Sequence, residues 1–109
     1  MTTINIKPLS VNEAYKGRRY STAKHSNFQK SVLMMLPEIT LPPKPLKIFL
    51  EFGFSNSCSD WDNGVKNFVD VLVKKYDFDD REIYEGNVKK VIVKKGMEYV
   101  KFRFESMGI

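Results

Sequence analysis

The chain has 109 residues, of which 42% are hydrophobic and 13% aromatic, enough to build the core of one domain spanning residues 1–109 and to exclude an intrinsically disordered chain. Its single cysteine, Cys58, excludes an internal disulfide and a cysteine-based zinc site. The longest apolar run, residues 31–36, is too short to cross a bilayer, and residues 1–7 do not resemble a signal peptide, so we expect a cytoplasmic protein without membrane partners.

The net charge of +5 is unevenly distributed along the chain. Residues 60–85 hold eight of the thirteen acidic residues and four basic ones, a local net charge of −4, so the rest of the chain carries +9. A basic body around an acidic island is typical of a protein that attracts phosphates and holds a cation to neutralise them. A solvated surface with uneven charge would give the same distribution, so charge alone leaves both interpretations open.

The N-terminal third predicts one strand and one helix. Alternating apolar residues over 3–7 predict a short strand that Pro8 ends. Residues 8–20 are predicted to form a loop, with a basic cluster at Lys16, Arg18 and Arg19. A helix is then predicted to begin after Ser21 or Thr22 and to end before Pro37, and its apolar positions are Phe28, Val32, Met35 and Leu36.

The remaining two thirds predict three strands and a second helix. Residues 46–54 alternate with a period of two, which is typical of a strand. A helix is predicted over about 61–75, with a buried stripe at Val65, Phe68, Val69, Leu72 and Tyr76. Two final strands are predicted at 88–94 and 98–105, joined by a turn at Lys95-Gly96. The order of elements predicts an α+β domain in which a small mixed sheet packs with two helices.

The acidic residues with the clearest chemical potential flank the second predicted helix. Asp60 and Asp62 lie two residues apart where a loop enters that helix, so both carboxylates can point into one pocket that suits Mg²⁺. Lys66 follows one helical turn after Asp62, where its ammonium could orient a carboxylate or stabilise charge on a phosphate. The cluster at 77–80 follows the helix, and Asp80 can reach the first pair only if the chain turns back along the helix.

Two structural interpretations compete with a metal site. Ser59 and Asp62 fit the spacing of a helix capping box, in which acids stabilise the first helical turn. Four charged residues of alternating sign also stand four positions apart along the helix, and they are Asp62, Lys66, Asp70 and Lys74. This charge ladder is typical of a solvent-exposed helix face held by ion pairs. Spacing alone favours these alternatives, although the acids exceed in number what capping requires.

Three blocks of the sequence together form a recognisable pattern. The first is Ser10-Val11-Asn12-x-x-Tyr15-x-Gly17-Arg18-Arg19-Tyr20. The second is Asp60-Trp61-Asp62-Asn63-x-x-Lys66, followed by Asp70 and Leu72. The third is Asp79-Asp80-x-x-Ile83, with Lys90 at the position of a downstream basic residue. These blocks resemble the RusA family of Holliday junction resolvases, and the second is similar to the core motif of the family, although Glu82 and Trp61 depart from its usual residues.

The resemblance implies a homodimer that binds four-way DNA junctions and nicks two opposed strands, with Mg²⁺ or Mn²⁺ as cofactor. By matching position, the catalytic residues would be Asp60, Asp62, Asp80 and Lys66. The metal ligands would be the three aspartates among them. Asp79 matches a less critical neighbouring acid, and a small error in pairing would exchange it with Asp80.

Basic residues provide candidate contacts to DNA phosphates, and they are Arg18, Arg19, Lys24, Lys30, Lys89, Lys90, Lys94 and Lys95. Motif position favours Arg18 and Lys90. Two further functions stay open from sequence: a module that binds branched DNA with weak or no nuclease activity, and a structural domain whose acids only cap and pair.

Overall fold

Four strands form the sheet on which the described part of the fold is built. The computed structural model describes residues 1–9, 15–16 and 20–108, with the backbone alone for 15–16, 20 and 21, so Arg18 and Arg19 lie outside the described residues. The elements are β1 (Thr2–Ile4), β2 (Tyr15–Lys16), β3 (Tyr20–Ser21), α1 (Ala23–Met35), β4 (Leu46–Phe54), α2 (Val65–Tyr76), a 3-10 turn (Asp80–Glu82), β5 (Ile83–Ile92) and β6 (Tyr99–Ser106).

The main sheet has the strand order β1-β6-β4-β5, and β2 pairs with β3 in a separate ribbon. β4 and β5 are parallel, whereas β6 is antiparallel to both β4 and β1. The predicted α+β class, a small mixed sheet packed with two helices, is confirmed. No helix within the described ranges is long and apolar enough to cross a membrane.

The core lies between one face of the sheet and the two helices. Strand β4 contributes alternate buried residues, with Leu46 and Phe52 fully buried, because successive side chains of a strand point to opposite faces. Helix α2 places the Phe68 ring 6.3 Å from the Phe52 ring in a T-shaped contact. Helix α1 adds Phe28 and Val32 to the same cluster, so both helices are held by aromatic and aliphatic packing on the central strands.

The structure corrects four predictions. β1 ends at Ile4 and not at residue 7, and the predicted loop over 8–20 contains β2 and the start of β3, which pair with each other. The other two corrections concern where an element begins. α2 begins at Val65 and not near 61, because residues 61–64 form turns. β5 begins at Ile83, before the predicted start at 88, although Glu85, Gly86 and Asn87 have low strand propensity. Parallel pairing with β4 supplies the hydrogen-bonding partner that local sequence does not indicate.

The face of the sheet away from the helices is polar and internally paired. The Phe49 ring lies under the guanidinium of Arg103, 4.3 Å from its centroid, and under the ammonium of Lys47 at 4.9 Å. The Tyr99 hydroxyl donates to Oε2 of Glu51 at 2.5 Å, and its ring covers Gly53. The two aromatic rings of this open face, Phe49 and Tyr99, therefore contact charged groups of the same chain.

We predict that Gly53→Ala lowers the free energy of unfolding by about 1–3 kcal/mol, the usual range for overpacking. A Cβ atom at position 53 would lie 2.5 Å from Cε1 of Tyr99, so the ring must move. Gly86→Ala is the matched control, because its Cβ would lie 3.4 Å from Cγ2 of Ile48, an ordinary contact. Urea unfolding measures both variants, and equal stability of Gly53→Ala and wild type would contradict the prediction.

Candidate functional site

The segment from 55 to 64, here called the acidic loop, connects β4 to α2 and carries Asp60 and Asp62. Two backbone hydrogen bonds shape its second half: Asn63 N–H donates to the Asp60 carbonyl and Val65 N–H to the Asp62 carbonyl, both at 3.1 Å. The side chains of Asp60, Asp62 and Lys66 are exposed. The loop therefore presents two carboxylates to solvent, and Lys66 stands just beyond them in the first turn of α2.

The structure contradicts the capping interpretation of these acids. The residue that caps α2 is Gly64, which provides no side-chain hydrogen bond, and the first turn of α2 contains no acidic residue. The predicted Ser59–Asp62 capping box is therefore wrong. The hydrogen bonds that Asp60 and Asp62 make within the described ranges use their backbone carbonyls, and neither carboxylate caps α2.

The ion-paired helix face is also not formed within the described part of the chain. Asp62, Lys66 and Asp70 form no ion pair with any described residue. Lys74, the last member of the ladder, donates to Oε1 of Gln29 on α1 at 3.1 Å. The alternating charges of α2 therefore do not neutralise one another along the helix.

Lys90 holds the acidic loop in place. It lies on the helix-covered side of β5, and its ammonium donates to the carbonyl of Ser57 at 2.9 Å and to that of Ser59. Motif position predicts Lys90 as a DNA contact and does not indicate this role. The signal that could have indicated this role is the spacing of Lys90 and Val88 on β5. Residues two apart on a strand face the same side of the sheet, so Lys90 points toward the helices as Val88 does. The other candidate DNA contacts in the described residues are all exposed, and they are Lys24, Lys30, Lys89, Lys94 and Lys95.

The second acidic cluster separates into two different roles. The Asp79 carboxylate caps the 3-10 turn by accepting from Arg81 N–H at 3.1 Å, and Glu82 closes the capping box by accepting from Asp79 N–H at 2.8 Å. The Arg81 N–H and then its guanidinium hold the pKa of the Asp79 carboxyl below its usual value. The Asp79 N–H and then Lys44 do the same for the pKa of Glu82. Asp79 is thus engaged locally, whereas Asp80 caps nothing.

Asp80 lines a groove between α2 and β5, with a volume of about 380 Å³. Its floor is apolar, and Lys66, Asp70 and Asp80 are the charged residues of its wall. The apolar residues that line it are Ile48, Leu50, Val65, Val69, Ile83 and Val88. The structure thus brings Asp80 and Lys66 to one groove, but Asp60 and Asp62 do not line it.

Asp80 and the acidic loop lie toward opposite ends of α2. The loop follows Phe54 and is held by Lys90, whereas Asp80 precedes Ile83, which pairs with Leu46 at the other end of β4. The twelve residues of α2 separate the two ends by about 18 Å. Among the described residues, no three acids, histidines or cysteines are grouped to hold a metal ion. A single chain therefore offers the Asp60–Asp62 pair without the third expected carboxylate.

A polar cavity of about 320 Å³ lies beside the acidic loop. Its polar lining residues are Lys7, Ser55, Asn56, Ser59 and Glu98. The Ser55 hydroxyl donates to Oε2 of Glu98 at 2.7 Å, and this bond holds the pKa of Glu98 below its usual value. The sequence does not indicate this cavity, because its residues come from three separate segments of the chain.

No protein-family model matches the chain, and no match to a curated protein was found either.

We predict that Asp79→Ala lowers the melting temperature at pH 7, because the 3-10 turn loses its cap. Since folding lowers the pKa of Asp79, its stabilising effect is present above the pKa of an unfolded aspartate, about 3.9, and is lost as the pH falls below that value. The difference from wild type should therefore shrink at pH 3. Asp80→Ala is the matched control and should change the melting temperature less at pH 7.

We also predict that Lys90→Met accelerates amide hydrogen exchange in residues 57–62, because the two carbonyls that Lys90 binds lose their donor. Lys89→Met removes the same charge from the neighbouring exposed position and should leave exchange in the loop unchanged. Identical exchange rates for Lys90→Met and wild type would show that the lysine does not order the loop.

Proposed function

We propose that this chain is a Mg²⁺-dependent endonuclease that cuts branched DNA, with four-way junctions as its substrate and a homodimer as its active form. The observation that carries the proposal is the exposed pair Asp60–Asp62, which neither caps α2 nor enters an ion pair among the described residues and is followed directly by Lys66. Resemblance of this motif to the RusA family supports the choice of substrate.

The donor set fits Mg²⁺. This ion prefers oxygen ligands and is usually held by one or two carboxylates while it keeps several waters for a substrate phosphate. Asp60 and Asp62 provide two such carboxylates from one turn of chain. When bound, the ion would polarise the scissile phosphate and activate water for its hydrolysis. Mn²⁺ has the same preference for oxygen and would be expected to substitute.

Two lysines of the chain would assist the ion, one by stabilising charge on the phosphate and the other by holding the acidic loop in position. Lys66 lies within the first turn after the acidic loop, where its ammonium can stabilise the negative charge that develops on the phosphate. Lys90 fixes the loop by two carbonyl contacts, so the carboxylates need not be ordered when the substrate binds. Asp80 would complete the acidic set, and it is preferred to Asp79 because the latter carboxylate is engaged as a cap.

Electrostatic attraction accounts for DNA binding in this proposal. The sequence outside 60–85 carries a charge of +9, and exposed lysines such as Lys24 and Lys89 would contact phosphates without reading bases. Arg18 and Arg19 are proposed for the same role from the family motif alone. Two sites related by a twofold axis match the symmetry of a four-way junction and allow paired nicks. We place this activity in the cytoplasm, which suits an exposed free thiol at Cys58.

We predict that Asp62→Asn lowers Mg²⁺-dependent nicking of a synthetic four-way junction by about two orders of magnitude or more, because a ligand of the ion is lost. Asp77→Asn is the matched control. It removes the same charge at a position with φ of +52°, which asparagine also tolerates, so activity should be retained. Nicking by Asp62→Asn at the wild-type rate would contradict the assignment.

Stability measurements test the same site without DNA. Mg²⁺ should raise the melting temperature of wild type and of Asp77→Asn but not that of Asp62→Asn. In metal-free buffer Asp62→Asn should be at least as stable as wild type, since it relieves repulsion between two carboxylates. Junction binding without any Mg²⁺-dependent nicking would favour a binding module, and no preference for the junction over linear duplex would contradict both functions.

A further inference from the structure

The acidic loop carries an exposed aromatic residue between its two carboxylates. Trp61 is 57% exposed, although tryptophan side chains are highly buried on average in folded proteins. Within the described ranges its ring is in none of the aromatic or cation–π contacts and is not part of the hydrophobic core. Packing of the described residues therefore does not explain why a large ring stands at this position.

A β-turn places Trp61 at the corner of the loop. Asn63 N–H donates to the Asp60 carbonyl at 3.1 Å, so Trp61 and Asp62 are the two central residues of this turn. Both are exposed. A second hydrogen bond, from Val65 N–H to the Asp62 carbonyl, joins the corner directly to α2. The backbone that carries the ring is therefore fixed by hydrogen bonds before any ligand binds.

The composition of the loop indicates which ligand the ring fits. Apart from Cys58, the other residues of 55–64 are polar, charged or glycine. A protein partner or a lipid surface is usually recognised by a continuous apolar patch, and this loop provides one ring only. A nucleobase has flat faces that stack on an aromatic ring and polar edges that form hydrogen bonds, so it matches one ring among polar side chains.

Basic residues lie at the same end of the sheet. The Glu98 carboxylate accepts from the Ser55 hydroxyl at 2.7 Å and from a backbone N–H of the β5–β6 turn at 2.8 Å, so it ties this turn to the start of the acidic loop. The turn carries Lys94 and Lys95, which are both exposed. Lys7 lines the polar cavity beside the loop. These ammonium groups attract the phosphates of a nucleic acid strand toward the ring.

We propose that Trp61 is a stacking platform for one unpaired base of the strand whose phosphate the acidic loop would hold, an inference that rests on the proposed function. Inside an intact duplex both faces of a base are already stacked, so the ring gains a partner only where a base has left the stack. The preferred substrate therefore has an unpaired nucleotide at the branch. Because Trp61 departs from the residues usual in the RusA family, this contact belongs to the present chain.

The fluorescence of Trp61 tests the stacking directly, because the chain has a single tryptophan. A short oligothymidylate, which does not pair with itself, should quench the emission in Mg²⁺ buffer. A linear duplex at the same nucleotide concentration should quench it much less. No quenching by the single strand, or equal quenching by both, would overturn the proposal. A blue shift of the emission with rising protein concentration, in the absence of DNA, would place the ring between copies of the chain and would overturn it too.

Three variants separate aromatic stacking from contact with apolar bulk. Trp61→Ala and Trp61→Leu lack an aromatic face, so each should raise the Kd for the oligothymidylate roughly five- to hundredfold. Trp61→Phe keeps an aromatic face and should raise it less than either. Fluorescence anisotropy of a labelled strand measures these constants. Wild-type affinity of Trp61→Ala, or equal affinity of Trp61→Leu and Trp61→Phe, would overturn stacking.

Nicking assays then test the substrate preference. Wild type should nick a junction with one unpaired nucleotide at the branch faster than a fully paired junction, and Trp61→Ala should lose this difference. Mg²⁺ should still raise the melting temperature of Trp61→Ala, because Asp60 and Asp62 remain, and this control checks its fold and its ion site. Equal nicking of both junctions by wild type would overturn the preference while a nuclease stands. If neither junction is nicked, the proposed function fails, and the fluorescence measurements still decide whether Trp61 stacks on an unpaired base.

Discussion

The parallel pairing of β4 with β5 is the constraint on which the rest of the structure depends. Parallel neighbours cannot be joined by a tight turn, so the chain must cross over the sheet, and α2 is that crossover. Its packing is fixed by the contact of Phe68 with Phe52 and by Gly64, which lies against the same ring. The connection into the crossover and the connection out of it consequently lie at opposite ends of the sheet, and the two acidic clusters are separated with them.

The parts of the fold that could be predicted are those with a local periodic signal. The alternation in 46–54 matches β4, and the stripe of the second helix contains Phe68 and Leu72, which are fully buried. Periodicity also predicts Met35 on the apolar face of the first helix, but this side chain is 42% exposed at the helix end. The N-terminal half of β5 has no such signal, because Glu85, Gly86 and Asn87 have low strand propensity and no apolar alternation, and it is pairing with the distant β4 that makes this segment a strand.

The candidate site likewise contains residues that are close in sequence and one residue, Asp80, whose position depends on the fold. Asp60, Asp62 and Lys66 belong to one contiguous motif, so their proximity could be predicted without a fold. The position of Asp80 relative to them depends on strand order, which spacing does not encode. The capping box of Asp79 and Glu82 is itself a local motif with the usual three-residue spacing, and that spacing is a signal in the sequence for the capping role of Asp79.

The contacts of Lys90 have a consequence for how the acidic loop can vary. Lys90 binds main-chain carbonyls of residues 57 and 59, and these are present whatever side chains stand there. These contacts of Lys90, and the loop conformation that they hold, therefore do not depend on the side chains of Ser57, Cys58 and Ser59. This stretch borders the polar cavity beside Asp60, so mutations could reshape the contacts made there while the carboxylates keep their place. Side chains at this edge of the molecule can therefore change while Lys90, on the neighbouring strand, keeps its contacts with the loop backbone.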